Sequence, residues 1–262
     1  MKLKILFLTA LACLVSGVAN ADTFITWENS VPLFDAADEQ GWVDLQGTSV
    51  FAFNPDDSVL SPRNALIGGV NFLGTDLSSP ETGGGVTLTT TGGSVTGPNT
   101  FNTGNFTDPD VISLVGGGTF GAQEVTLSGL TAGNSYRIQI ATNDARNQRN
   151  SDWLSIFSDG VNDIQTSIAN GTAGLSALSL LDPVTGAGQS TGSSVIGTFV
   201  AVGTTQSFSI GGSIDGGVSA DADDRAQING IQLRTLGPAV PEPSSAIVLG
   251  LSSLILLRRR KA

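Results

Sequence analysis

A two-residue alternation of apolar and polar side chains is the feature that most constrains how this chain can fold. Over residues 135–142, tyrosine and isoleucine at the even-numbered positions alternate with arginine, glutamine and alanine at the odd ones. Successive side chains of a β-strand point to opposite faces of a sheet, so this pattern predicts a half-buried strand. Residues 227–234 alternate in the same way, and we predict that they form the closing strand of the domain.

Turn-forming residues separate many such short segments. The chain holds 34 glycines among 262 residues, and only 13% of its side chains are charged. We find no convincing amphipathic helix, and residues 31–39 support only a turn or two. The pattern therefore predicts an all-β protein. The predicted strands are 23–27, 42–45, 49–53, 66–72, 85–90, 122–127, 135–142, 152–158, 163–167, 194–201, 205–210 and 226–234.

About a dozen predicted strands without crossover helices indicate a β-sandwich. Two packed sheets are expected, and we interpret residues 22–236 as a single jelly-roll-like β-sandwich. The stretches 78–85, 92–105 and 171–192 are rich in Gly, Ser and Thr, and they are predicted to be long loops. At 129–133 we predict a turn that Gly133 closes with a positive φ.

The N-terminal residues have the composition of an export signal. Two lysines precede an apolar run over 5–18, and the small residues Ala19 and Ala21 follow it at the positions that a signal peptidase recognises. Residues 1–21 are therefore predicted to be a helical signal peptide that is removed after export.

Cysteine, histidine and charge narrow the possible functions. The one cysteine, Cys13, lies in the predicted signal peptide, and the sequence has no histidine. Disulfides, Ser-His-Asp and Cys-His catalysis and His- or Cys-ligated zinc are thus excluded from residues 22–241. This segment carries 22 acidic residues and six arginines, a formal charge of −16. Such a charge argues against a nucleic-acid partner.

A composite tail occupies residues 237–262. Pro241, Glu242 and Pro243 follow a short linker, and the motif lies within 237–245. The apolar run 244–257 has 14 residues, and it would span about 21 Å as a helix at ~1.5 Å per residue. A bilayer core is about 30 Å thick, so permanent anchoring by the predicted transmembrane helix at 246–257 is marginal.

Four consecutive cations close this tail, within 258–262. By the positive-inside rule they would hold that end of the helix on the cytoplasmic side. They are Arg258, Arg259, Arg260 and Lys261.

The motif, apolar run and basic end, in this order, resemble the PEP-CTERM sorting domain. Pro241, Glu242 and Pro243 would then be the sorting motif, with prolines that keep it extended. The resemblance implies transient insertion in the inner membrane of a Gram-negative bacterium that secretes exopolysaccharide. It also implies recognition and cleavage by an exosortase, and a destination at the cell surface or in the extracellular matrix.

The residues ahead of the tail carry a second resemblance. Their order is similar to that of jelly-roll passengers found with such tails and of galactose-binding-like domains, which implies an extracellular binding or matrix module. The segments that carry it are 69–72, 127–136, 143–146, 157–160, 197–199 and 227–234.

One loop concentrates groups that recognise sugars. It spans 143–153 and combines carboxylates, amides, guanidinium groups and an indole between two predicted strands. The same residues also suit a purely structural role, because Asn and Asp favour turns, Asp144 and Arg146 can pair, and the indole can be core. The candidate ligand residues are Asp144, Arg146, Arg149, Asp152 and Trp153.

A second loop offers oxygen ligands for Ca²⁺. Asp215, Asp221, Asp223 and Asp224 lie close together in the sequence. The spacing is not that of an EF-hand, because Arg225 stands where a ligand is needed and no Glu follows at the bidentate position. A calcium site and a solvated acidic loop both remain open here, and no other cofactor is expected.

Three functional hypotheses follow. In the first, the chain is a secreted, non-enzymatic structural or carbohydrate-associated component of a biofilm matrix. Its partners would be signal peptidase, an exosortase and exopolysaccharide. In the second, it is a surface glycosidase or lyase that uses carboxylates alone, which requires two of them at a suitable separation. In the third, it is a permanently anchored surface protein.

Overall fold

Two eight-stranded sheets and one short helix make up most of the described chain. The computed structural model describes residues 24–28, 31–33, 39–56, 63–96, 106–143, 153–161, 163–166, 193–214, 217–218 and 227–239. We call the two sheets sheet I and sheet II. The prediction of an all-β chain with two sheets is confirmed.

Sheet I contains residues 135–142 and 230–234 of the two segments with the clearest alternation, whereas residues 227–228 pair with a strand of sheet II. Its strands lie in the order β1-β12-β9-β16-β3-β5-β4, with β2 paired to β12. Most pairs are antiparallel, and β3 with β5 is parallel. The strands are β1 (Thr26–Trp27), β2 (Val31–Pro32), β3 (Thr48–Pro55), β4 (Ala65–Ile67), β5 (Val70–Thr75), β9 (Asn134–Thr142), β12 (Ser193–Val200) and β16 (Gly230–Pro238).

Sheet II has the order β11-β10-β13-β8-β7-β6, with β14 paired to β13 and β15 paired to β8. All of its pairs are antiparallel. The strands are β6 (Glu81–Gly83), β7 (Val86–Thr96), β8 (Gly118–Ser128), β10 (Trp153–Ser158), β11 (Asp163–Thr166), β13 (Thr205–Ile214), β14 (Gly217–Val218) and β15 (Gln227–Ile228).

The main core lies between the two sheets. Sheet I contributes the apolar face of its alternating strands, and sheet II contributes the matching face of β7, β8, β10 and β13. Fully buried residues on the two sides include Ile138 and Ile140 from sheet I and Leu88, Leu127 and Phe157 from sheet II. Burying one such side chain stabilises a fold by about 1.5–3 kcal/mol, and this core is therefore the main source of stability.

The other face of sheet I is also buried, so the prediction of a half-buried strand at 135–142 is wrong. Every residue of β9 from Tyr136 to Thr142 is buried. The segment 39–47, helix α1 (Pro109–Val115) and the hairpin of β4 and β5 form a second apolar cluster with Ala52 and Ala141 on this face. The polar residues that alternate with the core therefore need partners inside the protein.

Several boundaries differ from the predicted ones. The expected single strand 66–72 is a hairpin, because Gly68 and Gly69 adopt positive φ values of 57° and 82° and turn the chain. Residues 42–45 form a turn and an extended segment that lies over sheet I instead of a strand within it. The predicted loop 78–85 contains β6, and β7 extends into the loop predicted at 92–105.

Helix α1 was not predicted. Asp108 is its N-cap, and the carboxylate accepts hydrogen bonds from the backbone N–H groups of Asp110 at 2.9 Å and Val111 at 3.1 Å. Pro109 occupies the first turn, where a missing N–H costs nothing. The helix packs Val111 and Leu114 into the second cluster, and it closes one end of sheet I's outer face.

The two ends of the sequence lie outside the residues that the structure describes. The predicted signal peptide and nearly all of the predicted sorting tail are in the undescribed residues 1–23 and 240–262. In the part that the structure describes, no helix has the length and apolar character needed to cross a membrane. Strand β16 extends to Pro238, and the N–H of Ala239 donates to the Gly133 carbonyl at 2.8 Å. The sandwich thus continues slightly beyond residue 236.

Candidate functional site

Most residues of the predicted sites fall outside the described ranges. Trp153 starts β10 opposite Ile214, and nothing is described of its side chain. For the remaining residues, the predictions from sequence stand as predictions. They are Ala19 and Ala21, Asp144, Arg146, Arg149 and Asp152, Asp215, Asp221, Asp223 and Asp224, Pro241, Glu242 and Pro243, and Arg258, Arg259, Arg260 and Lys261.

The base of the predicted ligand loop is described and is rigidly built. Asn143 and Asn229 are both fully buried. The N–H of Asn143 donates to Oδ1 of Asn229 at 2.5 Å, and Nδ2 of Asn229 donates to the carbonyl of Gly117 at 2.6 Å. Both asparagine side chains also donate to the carbonyl of Val115 at the end of α1. Asn143 therefore belongs to the scaffold of the loop.

A face rich in hydroxyl groups lies on the outer side of sheet II. Positions that alternate with the buried core of β7, β8 and β13 carry serine and threonine, and Ser158 of β10 adjoins them. We call this the hydroxyl face. Its rows of cross-strand partners are Thr82, Thr87, Ser128 and Thr205; Thr89, Thr126 and Ser207; and Thr91, Glu124, Ser209 and Ser158.

A shallow cleft of about 210 Å³ opens at one corner of this face. Its floor is formed by neighbouring strands, and the turn after β10 forms its wall. Its lining includes three serines and two carboxylates beside apolar atoms. The lining residues are Glu124, Ser158, Asp159, Gly160, Ser207, Phe208 and Ser209.

Asp159 fixes the wall of the cleft. Its Oδ2 accepts the N–H of Ile25 at 2.5 Å, and its Oδ1 accepts the N–H of Val161 at 2.9 Å. These bonds tie the turn after β10 to the start of β1. Phe24, which is 43% exposed, directly precedes Ile25, so its backbone lies beside the cleft. Val161 is 65% exposed on the same turn.

The cations of the described ranges do not line this cleft. The described ranges contain three arginines and no lysine, and all three arginines belong to sheet I or the segments against it. Arg63 pairs with Asp56 at 3.1 Å, and Arg137 pairs with Asp44 at 2.7 Å. Arg234 donates to the carbonyls of residues 45–47. Each guanidinium group thus has a structural role.

The Arg137 guanidinium group is the centre of a polar network on the outer face of sheet I. Besides Asp44, it bonds Glu28 at 2.6 Å. Burial alone would lower the pKa of Arg137, but the hydrogen bonds and charges of Glu28 and Asp44 outweigh burial and raise that pKa. Nearby, Gln139 Nε2 donates to the Trp42 carbonyl at 2.8 Å. The polar side of β9 therefore holds the segment 42–47 in place.

A second polar network joins the segment 39–40 to the start of α1. The Glu39 carboxylate accepts hydrogen bonds from the N–H and hydroxyl of Thr107 and from the N–H of Asp108. Gln40 Nε2 donates to Asp108 Oδ2 at 2.7 Å. Burial raises the pKa of both carboxyl groups, yet the hydrogen bonds that they accept outweigh it, so each pKa lies below its usual value.

Comparison with known protein families finds no family model that matches the chain, and no curated protein matches it. The function of this protein is therefore inferred from its own residues. Among the residues described, no group of three or more His, Cys, Asp or Glu side chains could hold a metal ion. The predicted calcium loop lies outside those residues.

The cleft was missed at the sequence level. The signal that could have found it is the run of hydroxyl residues at alternating positions of β7, β8 and β13. Asp159 and Gly160 belong to the segment 157–160 of the second resemblance, which does not by itself indicate a cleft. That a turn from β10 would meet Glu124 depends on the pairing of both β10 and β8 with β13, and local patterns do not encode such distant partners as Ser158 with Ser209 and Glu124 with Ser209.

Proposed function

We propose that this protein is exported and sorted to the cell surface or extracellular matrix, where it serves as a non-enzymatic, carbohydrate-associated matrix component. The sandwich, which we take to be of the jelly-roll type, is the passenger. The observation that carries this proposal is the tail, in which Pro241, Glu242 and Pro243 precede an apolar run and four cations. Such an ordered tail supports recognition by an exosortase after transient insertion in the inner membrane.

The position of the tail relative to the fold supports its role as a separate signal. Ala239 still bonds to the sandwich, and the Pro-Glu-Pro motif begins two residues later. A processing enzyme could therefore act on the motif while the sandwich stays folded. The charge of −16 over residues 22–241 supports solubility outside the cell and disfavours nucleic acid as a partner.

A test of sorting uses mass spectrometry of the native protein from the cell surface. We expect a mature C-terminus near residues 241–245 and no peptides from residues 251–262. A Glu242→Gln variant should retain the tail, because the one charge of the motif is lost. Glu124→Gln, the same change on the sandwich, should be processed normally. Recovery of peptides from 251–262 in wild-type surface protein would support permanent anchoring instead.

One observation keeps a carboxylate-dependent glycosidase as the second candidate. Glu124 and Asp159 line the same cleft. However, both oxygens of Asp159 accept backbone N–H groups, which favours a structural role over that of a nucleophile or general acid. Release of new reducing ends from polysaccharides, abolished by Glu124→Gln, would establish the enzyme and overturn the non-enzymatic proposal.

A further inference from the structure

We propose that the cleft at Glu124 binds one sugar residue of a neutral polysaccharide, with the sugar chain continuing over the hydroxyl face. This inference rests on the proposed carbohydrate-associated function and deepens it by assigning a site and a ligand class. The site lies on described strands of sheet II, and its lining residues are not those of the loop at 143–153 that the sequence suggested.

The regular spacing of the hydroxyl groups on this face suits a polysaccharide, because a polysaccharide also carries hydroxyl groups at regular intervals. Neighbouring strands lie about 4.7–4.9 Å apart, and alternate residues of one strand lie about 6.6–6.8 Å apart. Rows of serine and threonine therefore repeat in two directions over the hydroxyl face. A hydroxyl group donates one hydrogen bond and accepts two, as a sugar hydroxyl also does, so each can satisfy the other.

Existing hydrogen bonds hold parts of this surface in order. Oγ1 of Thr126 and Oγ of Ser207 are 2.9 Å apart across β8 and β13, and Oγ1 of Thr82 and Oγ1 of Thr87 are 2.9 Å apart across β6 and β7. Each paired hydroxyl still has acceptor capacity for a ligand. Because the strands are rigid parts of the core, little conformational entropy would be lost on binding.

The cleft suits a single pyranose ring. Its volume of about 210 Å³ is below the ~300–1,000 Å³ of sites for drug-sized ligands. Glu124 is exposed and makes no hydrogen bond or ion pair among the described residues, so its two oxygens can accept sugar hydroxyls. The backbone bonds of Asp159 fix the wall, and the apolar atoms of the lining, which include those of Phe208, can face the C–H groups of a ring.

The charges decide in favour of a neutral polysaccharide. Glu124 and Asp159 are the charged residues that line the cleft. No arginine or lysine of the described chain lies on the hydroxyl face, since Arg63, Arg137 and Arg234 all serve sheet I. An anionic polysaccharide would therefore meet repulsion from Glu124 and Asp159, whereas neutral hydroxyl groups meet acceptors.

The test measures binding of the purified full chain by affinity electrophoresis in gels that contain dextran, laminarin, galactan or mannan. Alginate serves as the acidic comparison. We expect retardation by at least one neutral polysaccharide and none by alginate. The double variant Thr126→Val/Ser207→Ala removes both hydroxyls without leaving an unpaired partner, and it should bind about tenfold more weakly.

Matched controls separate binding from folding. Thr48→Val/Ser49→Ala makes the same two changes at exposed positions of sheet I, and it should bind as the wild type does. Glu124→Gln should weaken binding of the neutral polysaccharide, whereas at an anion-binding site the same change would strengthen binding. All variants should show the thermal unfolding midpoint of the wild type.

Three results would overturn the proposal: no retardation by any of the four neutral polysaccharides, equal binding by wild type and the Thr126→Val/Ser207→Ala variant, or stronger binding to alginate than to the neutral chains. Mass spectrometry of the mature C-terminus is independent of all three. A processed protein that fails to bind would therefore refute this site and leave the sorting proposal intact.

Discussion

Arg137 and Arg234 lie directly opposite each other on β9 and β16, in the middle of sheet I. Their like charges are compensated in different ways. Arg137 pairs with the carboxylates of Asp44 and Glu28, whereas Arg234 donates to the three carbonyl groups of residues 45–47 at 2.8–3.1 Å. Together the two side chains fix the segment 44–47 over the outer face of the sheet.

Replacing Arg137 with methionine should therefore be strongly destabilising. The substitution keeps an unbranched side chain but leaves the Asp44 carboxylate, whose side chain is only 6% exposed, without its cation. We expect the free energy of unfolding to fall by about 3–5 kcal/mol, measured by urea denaturation. Adding Asp44→Asn should recover part of this loss. A loss below about 1 kcal/mol would show that the buried pair is unimportant.

The buried asparagine at the base of the predicted ligand loop should be equally sensitive. In Asn229→Asp, a carboxylate would face the carbonyl oxygens of Val115 and Gly117 in place of an amide donor. We expect a loss of about 2–4 kcal/mol in the free energy of unfolding. Asn71→Asp makes the same change at an exposed site of β5. This control should change the free energy of unfolding by less than about 0.5 kcal/mol.

Two glycines of one turn provide a matched test of steric contact. Gly129 and Gly133 have φ values of 87° and 84°, so alanine is strained to a similar extent at either position. A Cβ at position 129 would also overlap the carbonyl oxygen of Gly85, while at position 133 nothing lies within 4 Å. Gly129→Ala should therefore lower stability by about 1–3 kcal/mol more than Gly133→Ala. Equal melting temperatures would contradict this.

Acid should weaken the junction between segment 39–40 and helix α1. The pKa values of Glu39 and Asp108 are lowered in the folded protein. The unfolded chain therefore binds more protons than the folded chain around and below pH ~4. The stability that these carboxylates contribute is complete above that range, and it is lost as the pH falls through the folded pKa values.

The comparison of wild type with Glu39→Gln checks this pH dependence. At pH 7 the variant should be less stable by about 1–2 kcal/mol, because charge-assisted hydrogen bonds to Thr107 and Asp108 are weakened. Between pH 7 and 3, the thermal unfolding midpoint of the variant should fall by less than that of the wild type. If the two proteins lose stability in parallel, Glu39 does not contribute to the acid sensitivity.

The strands at the centre of the fold could be predicted from the sequence because their alternation is local. Residues 135–142 form part of β9 and residues 230–234 form the start of β16, but the predicted single strand 227–234 is divided, because residues 227–228 pair with β8 of the other sheet. Gly133 has the positive φ that was expected. Helix α1 also had a local signal in Asp108 and Pro109, but its seven residues are too few to produce a visible amphipathic period.

The burial of Arg137 and Gln139 could not be predicted in the same way. An alternating polar residue has the same sequence signature whether it meets water or a distant segment. Here the covering segment is more than 90 residues away, and it is recognised only through the hydrogen bonds of Asp44 and Trp42. The cleft at Glu124 has the same origin, since strand pairing assembles its lining from β8, β10 and β13.

Strand β16 follows every other described strand along the chain, yet it lies between β9 and β3. Residues 230–238 are the only described strand that joins β9 to β3 in sheet I. A chain that crossed a membrane amino-terminus first would thus reach its folded state only after these residues had emerged. The order of transport would then set the moment of folding, immediately ahead of the Pro-Glu-Pro motif.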